Sequence, residues 1–256
     1  IVEGDVELRA EGEAAWPFDA GSVIGVLDAN MLRPRSRTAV AVTDVIALET
    51  PMEEWREILE ESPGFANATR SEIAKTLHDL VLDLAPDGGF AEPEPPDLDD
   101  PMVVEGTVVE RLVALRRCRH FELASVQTLA DLAARGSAVI KKRGETVSRP
   151  GNRDRVYLVL GGQVRAERRL APLIEARFGP SDLVLGGSSL GGCMSEYAII
   201  AESDCVLLEL SRSDIDEVVE DHGELSLCII RGMAIERDYV MRERGRRAER
   251  KATSPA

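Results

Sequence analysis

The segment Ala41-Val42-Thr43-Asp44-Val45-Ile46-Ala47-Leu48-Glu49 returns, little changed, 160 residues later as Ala201-Glu202-Ser203-Asp204-Cys205-Val206-Leu207-Leu208-Glu209. The offset holds downstream, where Trp55 and Ile58 meet Ile215 and Val218, each pair inside an acidic segment with helical spacing. Upstream, Ile1-Val2-Glu3-Gly4-Asp5-Val6 parallels Val159-Leu160-Gly161-Gly162-Gln163-Val164 at an offset of 158. Solenoid units repeat every roughly 20–50 residues. A period this long reads instead as one domain used twice. The first copy opens abruptly, with nothing before Ile1 to match residues 107–158 of the second, as in a processed or incomplete version of a longer protein.

At 256 residues there is room for two modest domains, each with its own core. Aromatic residues make up 4% of the chain, so aliphatic side chains must fill those cores. A formal net charge of −15 argues against duplex DNA or an anionic membrane as the main partner, since both need a cationic face. The local exception runs from Arg231 to Lys251, with eight Arg or Lys against four Asp or Glu. Cys118, Cys193, Cys205 and Cys228 show no metal-ligand spacing and read as reduced core thiols of a cytoplasmic protein. No apolar run is long enough to span a bilayer and no signal peptide is visible.

Alternation predicts a strand over Ile1–Leu8, and Val/Ile enrichment a second over Ala39–Leu48. A helix is expected from Met52 to Glu61, stopped by Pro63-Gly64, and another from Ser71 to Leu84 with Ile73, Leu77, Leu80, Val81 and Leu84 on one face. Residues 85–106, with five prolines between Ala85 and Pro101 and many acids, read as an extended linker. Beyond it come helices at Val108–Cys118 and Ser125–Ala134. Short strands follow at Ala138–Ile140, Thr146–Ser148, Val156–Leu160, Gln163–Glu167, Leu183–Leu185 and Ala198–Leu210. Ser213–Glu220 and Glu224–Arg250 should be helices. The boundaries expected are therefore 1–84, the linker 85–106, a domain over 107–240 and a basic tail over 241–256.

Helices, then many short strands at regular spacing, then helices resemble the cyclic nucleotide-binding domain family. The residues that carry the resemblance are Val109-Glu110-Arg111-Leu112 through Phe121, Lys142-Arg143-Gly144-Glu145, and Tyr157-Leu158-Val159-Leu160-Gly161-Gly162. The implied fold class is α+β, mainly β, with two cyclic nucleotide-binding-like β-roll or jelly-roll barrels flanked by helices. In that family a glycine-bearing short helix, an arginine and a glutamate grip the cyclic phosphate and the ribose. In the first copy Phe18 to Leu27 and Pro34 to Val40 align with this cassette. Gly25, Arg35 and Ser36 are then the candidate ligand-binding residues, with Arg35 on the phosphate arginine and Val26 on the ribose glutamate. In the second copy Gly187 stands at the glutamate position and Ser195, followed by Glu196, at the arginine.

Loss of those groups implies pockets with little ligand competence. His78, His120 and His222 have no partners at metal-ligand spacing, and no Ser/His/Asp order or paired-acid arrangement points to catalysis. The expected function is a non-enzymatic regulatory or scaffold protein with no resident cofactor. It would bind a protein partner or a second copy through its helices and C-terminal tail, without DNA binding or a membrane span. The alternative is a genuine sensor holding cyclic AMP or cyclic GMP in the first domain through Arg35. A third reading gives the basic tail an acidic protein surface or RNA.

Overall fold

The computed structural model describes residues 1–11, 15–31, 34, 36–84, 105–170, 174–193 and 196–253. The residues of the repeat build one turn twice. Asp5 donates its backbone N–H to Thr43 Oγ1 at 2.9 Å, and Gln163 donates its own to Ser203 Oγ at 2.9 Å. In each turn a carbonyl presses on a glycine with positive φ. A Cβ on Gly4 (φ +91°) would lie 2.1 Å from the Asp44 oxygen, and one on Gly162 (φ +79°) 2.2 Å from the Asp204 oxygen. Only glycine takes that backbone at that distance.

From this turn the first part of the chain runs β1 (Val6–Arg9), β2 (Trp16–Phe18), α1 (Val26–Asn30), β3 (Thr38–Ala41), α2 (Met52–Glu61) and α3 (Pro63–Leu84). The strands form one antiparallel sheet, ordered β2-β1-β3, in which Val6 faces Phe18 on one side and Ala41 on the other. Pro63 opens α3 instead of stopping a helix, because a first-turn residue needs no N–H partner. The helix expected from Ser71 therefore starts eight residues earlier.

After Glu105 come α4 (Val108–Arg117) and α5 (Val126–Arg135). A capping box between Thr107 and Glu110 starts α4. The strands follow as β4 (Ser137–Lys141), β5 (Thr146–Ser148), β6 (Arg155–Gly161), β7 (Val164–Arg168) and β8 (Ile174–Phe178). The chain then forms α6 (Gly186–Leu190), β9 (Tyr197–Ala201), β10 (Cys205–Ser211), α7 (Arg212–Asp221) and α8 (Glu224–Thr253). Two antiparallel sheets result, β4-β10-β6 and β5-β9-β7-β8. Val164 faces Phe178 and Ala201, the same pairing as Val6 with Phe18 and Ala41.

β6 and β10 are nearly continuous apolar runs because both of their faces are covered. Tyr157, Val159 and Leu207 meet Val164, Phe178 and Ile199 of the other sheet. Leu158, Leu160 and Leu208 meet Leu115, Leu129 and Ile229 of the helices. The two-sided core of this part lies here.

The structure departs from the expectations in several places. Helix (44%) outweighs strand (24%), so the fold is mixed and not mainly β. The first part forms a single three-stranded sheet among the described residues, not a barrel. The strand expected over Ala39–Leu48 ends at Ala41 and leaves one isolated bridge from Ile46 to Glu3, with Leu48 exposed. Its equivalent, β10, is held between β4 and β6, and no such pair flanks residues 45–51 among the described residues. Leu183–Leu185 makes only a bridge to Leu158, β8 appears where no element was expected, and α6 falls on the short glycine-bearing helix that the resemblance implies. The linker expected over 85–106 lies outside the described residues up to position 104.

One arrangement positions the site. α3 buries Ala66, Arg70, Ala74, Leu77, Leu80 and Leu84, a stripe at helical spacing that lies against α6 and α8. α8 runs unbroken through the basic segment, and Arg247 Nη1 donates to the carbonyl of Leu84 at 2.9 Å, closing the end of α3.

Candidate functional site

The glycine-bearing segment after β8 turns into α6 through Leu185, a non-glycine residue with φ +61°. GGSSL has almost no intrinsic tendency to be helical, so its neighbours must hold it. Gly187 within it and Gly191 just after it let other helices approach. A Cβ on Gly191 would lie 1.9 Å from the Ala74 Cβ of α3, and one on Gly187 would lie 2.8 Å from Met233 of α8. The backbone N–H of Gly187 is taken by the protein itself, donating to Glu236 Oε2 at 2.8 Å. A Cβ on Gly186 would fall 2.0 Å from the other oxygen of the same carboxylate.

Glu236 stands in the buried stripe of α8, between Met233 and Val240, where an apolar residue would be the ordinary choice. Its counter-charge comes from the turn after α4. His120 Nε2 lies 3.2 Å from Glu236 Oε1, an ion pair without the alignment of a hydrogen bond. Burial pushes the imidazole down, but Glu236 and the contact to Cys118 together outweigh it, and the pKa is raised to about 10. For Glu236 burial pushes the other way, and His120, the Gly187 N–H and Arg119 together outweigh it, holding the carboxyl below its usual value. The pair is therefore ionised and joins three elements: the turn after α4, α6 and α8.

Above it, β8, α6, α8 and α3 enclose a cavity of about 50 Å³ lined by Leu77, Val81, Ile174, Phe178, Tyr197 and Val240, among others. Ser195 lies outside the described residues. Glu196 pairs with Arg168 and comes within 3.9 Å of His78 Nε2. His78 also stands edge-on to Tyr197, and its pKa is lowered, chiefly by burial.

In the first part, Arg35 lies outside the described residues. Gly25 has φ +84° and open space beside it. Ser36 is held by α1, its N–H donating to Asp28 Oδ2 at 2.8 Å and its hydroxyl to the same carboxylate at 3.1 Å. Gly25, Asp28 and Ser36 share a cavity of about 40 Å³ with Trp16, Arg37 and Arg237 of α8. The Arg37 guanidinium lies 3.8 Å over the Trp16 ring. Gly25 and Ser36 are thus brought together, with an aspartate already on the serine's donors. α8 reaches both sites, through Glu236 at one and Arg237 at the other.

Cys118, Cys205 and Cys228 are buried free thiols and Cys193 is half-buried. Among the described residues no three His, Cys, Asp or Glu side chains gather as metal ligands, and no helix is long and apolar enough to cross a membrane. The structure brings His120 and Glu236 together from 116 residues apart. Their pairing had one trace in the sequence, an acid set into an apolar stripe.

No curated protein matches the chain. Among solved structures it is similar to the N-terminal domain of a transcriptional regulator from Streptomyces coelicolor A3(2). That likeness has 26% identity and a TM-score of 0.42, and covers 56% of this chain and 99% of that one. It is also similar to the regulatory subunit of a cAMP-independent protein kinase A from Trypanosoma cruzi bound to guanosine. Here identity is 15% and the TM-score 0.39, with 85% of this chain and 64% of that one covered. A third is the regulatory domain of Toxoplasma gondii PKA with cAMP, at 14% identity and a TM-score of 0.41, covering 88% of this chain and 74% of that one. The family model for the cyclic nucleotide-binding domain matches residues 139–222, so one such domain lies in this chain, from β4 through α7.

Proposed function

We propose that the protein is a non-enzymatic regulatory or scaffold component. It would be built from two cyclic nucleotide-binding-like units, over 1–84 and 107–240, and would work through protein contacts in the cytoplasm. The observation that carries this reading is the Glu236 carboxylate on the Gly187 N–H. A cyclic phosphate brought to α6 would have to displace a buried, charge-paired acid and find no arginine in α6 to receive it. α3 adds a second obstacle by lying on the same short helix. The first unit is supported by its repeated turn and strand pairing, and its candidate donors on Ser36 are engaged by Asp28.

Calorimetric titration with cyclic AMP and cyclic GMP tests the reading. The expected result is no binding by the wild type and no change on Arg35→Ala. Saturable binding that Arg35→Ala removes would replace it with the sensor reading centred on Gly25, Arg35 and Ser36.

A further inference from the structure

The cleft of the first unit receives a cation that the fold does not balance. Arg237 enters it from α8, which packs on α1. Four arginines bury an Nε without a hydrogen-bond partner: Arg70, Arg165, Arg231 and Arg237. The first three still face a carboxylate, on Asp216, Glu167 and Glu122 respectively. Arg237 has no ion pair among the described residues. Burial pushes its pKa down, and no carboxylate is near enough to push it back. A charge held this way costs stability unless an opposite charge meets it.

The other charges in the cleft are engaged. The Arg37 guanidinium lies 3.8 Å over the Trp16 ring, and Asp28 accepts from both the N–H and the hydroxyl of Ser36. Two guanidiniums and one carboxylate give the lining one positive charge in excess, in a chain whose formal net charge is −15. A single negative charge matches that excess. A dianion would exceed it and meet Asp28.

Size and shape narrow the choice further. The space is about 40 Å³, against roughly 10–15 Å³ for one water, so it holds about three atoms. That suits the carbon and two oxygens of a carboxylate, whose plane fits the guanidinium fork, and not a nucleoside. The cleft opens past Val23, which is 64% exposed. The rest of a ligand can therefore lie outward along the half-buried Phe18 and Ile24.

We propose that this cleft binds a small monocarboxylate with a short apolar stem, its carboxylate on Arg237 and its stem over Phe18, Val23 and Ile24. Such a ligand bridges the two units, because α8 belongs to one and α1 to the other. This goes beyond the function proposed above, which is carried by α6 and Glu236.

Hexanoate is the probe, with hexanol as its neutral counterpart, acetate as the head group alone and cyclic AMP as a separate arm, each titrated by calorimetry into the full chain. Hexanoate should bind one to one, and hexanol at least tenfold more weakly. Acetate should bind too weakly to move the wild-type unfolding midpoint, since each buried methylene is worth about fourfold. Arg237→Met should weaken hexanoate about tenfold to a hundredfold, the weight of a charged hydrogen bond, and leave hexanol unchanged. The same variant removes an unbalanced buried charge, so without ligand its unfolding midpoint should equal or exceed that of the wild type. A lower midpoint would show that Arg237 serves the fold and would overturn the proposal. So would failure of hexanoate on folded wild type, equal binding of hexanol, or undiminished binding by Arg237→Met. Cyclic AMP binding that Arg35→Ala removes, with hexanoate still bound by the wild type, overturns the proposed function and not this inference, so the two failures are told apart.

Discussion

His120 Nε2 and Glu236 Oε1 stand 3.2 Å apart, with 3% and 15% of their side chains exposed. Such a pair ties stability to pH. The histidine's pKa rises from an ordinary value near 6.5 to about 10 on folding. Its contribution is therefore complete below about 6.5, erodes as pH climbs and is gone above about 10. The glutamate's folded pKa is depressed, so its contribution is present above the ordinary carboxyl range and is lost as pH falls through the folded value. Arg119 and Asp182 also face this pair, and Cys118 Sγ lies 3.9 Å from His120 Nδ1. Denaturant unfolding across pH 5 to 10 should show stability greatest near pH 5–6.5 and falling steadily toward pH 10. His120→Gln should flatten that fall, and an unchanged slope would show that the pair is not its source.

Removing one partner of the pair is worse than removing both. Glu236→Ala lets the buried imidazole lose its proton and leaves it and the Gly187 N–H without their acceptor, which should cost about 1–3 kcal/mol. His120→Leu combined with Glu236→Met replaces both by apolar groups and should sit much closer to wild type. The single variant also leaves a hole shaped for a carboxylate, so acetate should raise its unfolding midpoint while leaving the wild type unmoved. Acetate acting equally on both proteins would mean that the Gly187 N–H and His120 do not form an anion position.

Much of the second part was legible because its signals are local. The run Val156–Leu160 announced a buried strand, Ala198–Leu210 announced β9 and β10 as one run without the turn between them, and the pattern of Val108–Cys118 announced α4. What local pattern alone does not carry depends on partners distant in sequence. α6 is helical because Glu236, Met233 and Ala74 pack on it, and none of these lies within 30 residues of it. β8 is different: Ile174, Ala176 and Phe178 alternate with Glu175 and Arg177, the same local strand signal as in Ile1–Leu8, and it went unread. In the first part the sequence of residues 45–49 matches that of β10, yet matching composition gives no strand without neighbours to pair with.

The contact between Ala74 and Gly191 predicts a coupled pair of substitutions. Gly191→Ala sets two methyl groups 1.9 Å apart, and α3 must move off α6. Overpacking of this kind costs about 1–3 kcal/mol. Ala74→Gly vacates the space and should recover part of that loss, less the cost of about 1 kcal/mol for a glycine inside a helix. A double-mutant cycle by denaturant unfolding measures the coupling. Additive effects would mean that α3 does not rest on α6 in solution.

The repeated turn offers a comparison within one molecule. Gly162→Ala and Gly4→Ala bring the same strain, a methyl group about 2 Å from a carbonyl at positive φ. What differs is the structure each turn supports. Gly162 connects β6, buried on both faces, to β7 and fixes how the two sheets meet. Gly4 leads into β1, where Val6 is the buried strand residue and Val2, Val42 and Ile46 stay exposed. Alanine at 162 should therefore lower the main unfolding transition by several kcal/mol, as expected when backbone strain enters a core (roughly 1–3 for the φ alone). Alanine at 4 should leave that transition nearly in place and instead speed amide exchange in β1 and β3. Equal effects at the two sites would mean that the three-stranded sheet unfolds together with the two-sheet core, as one cooperative unit.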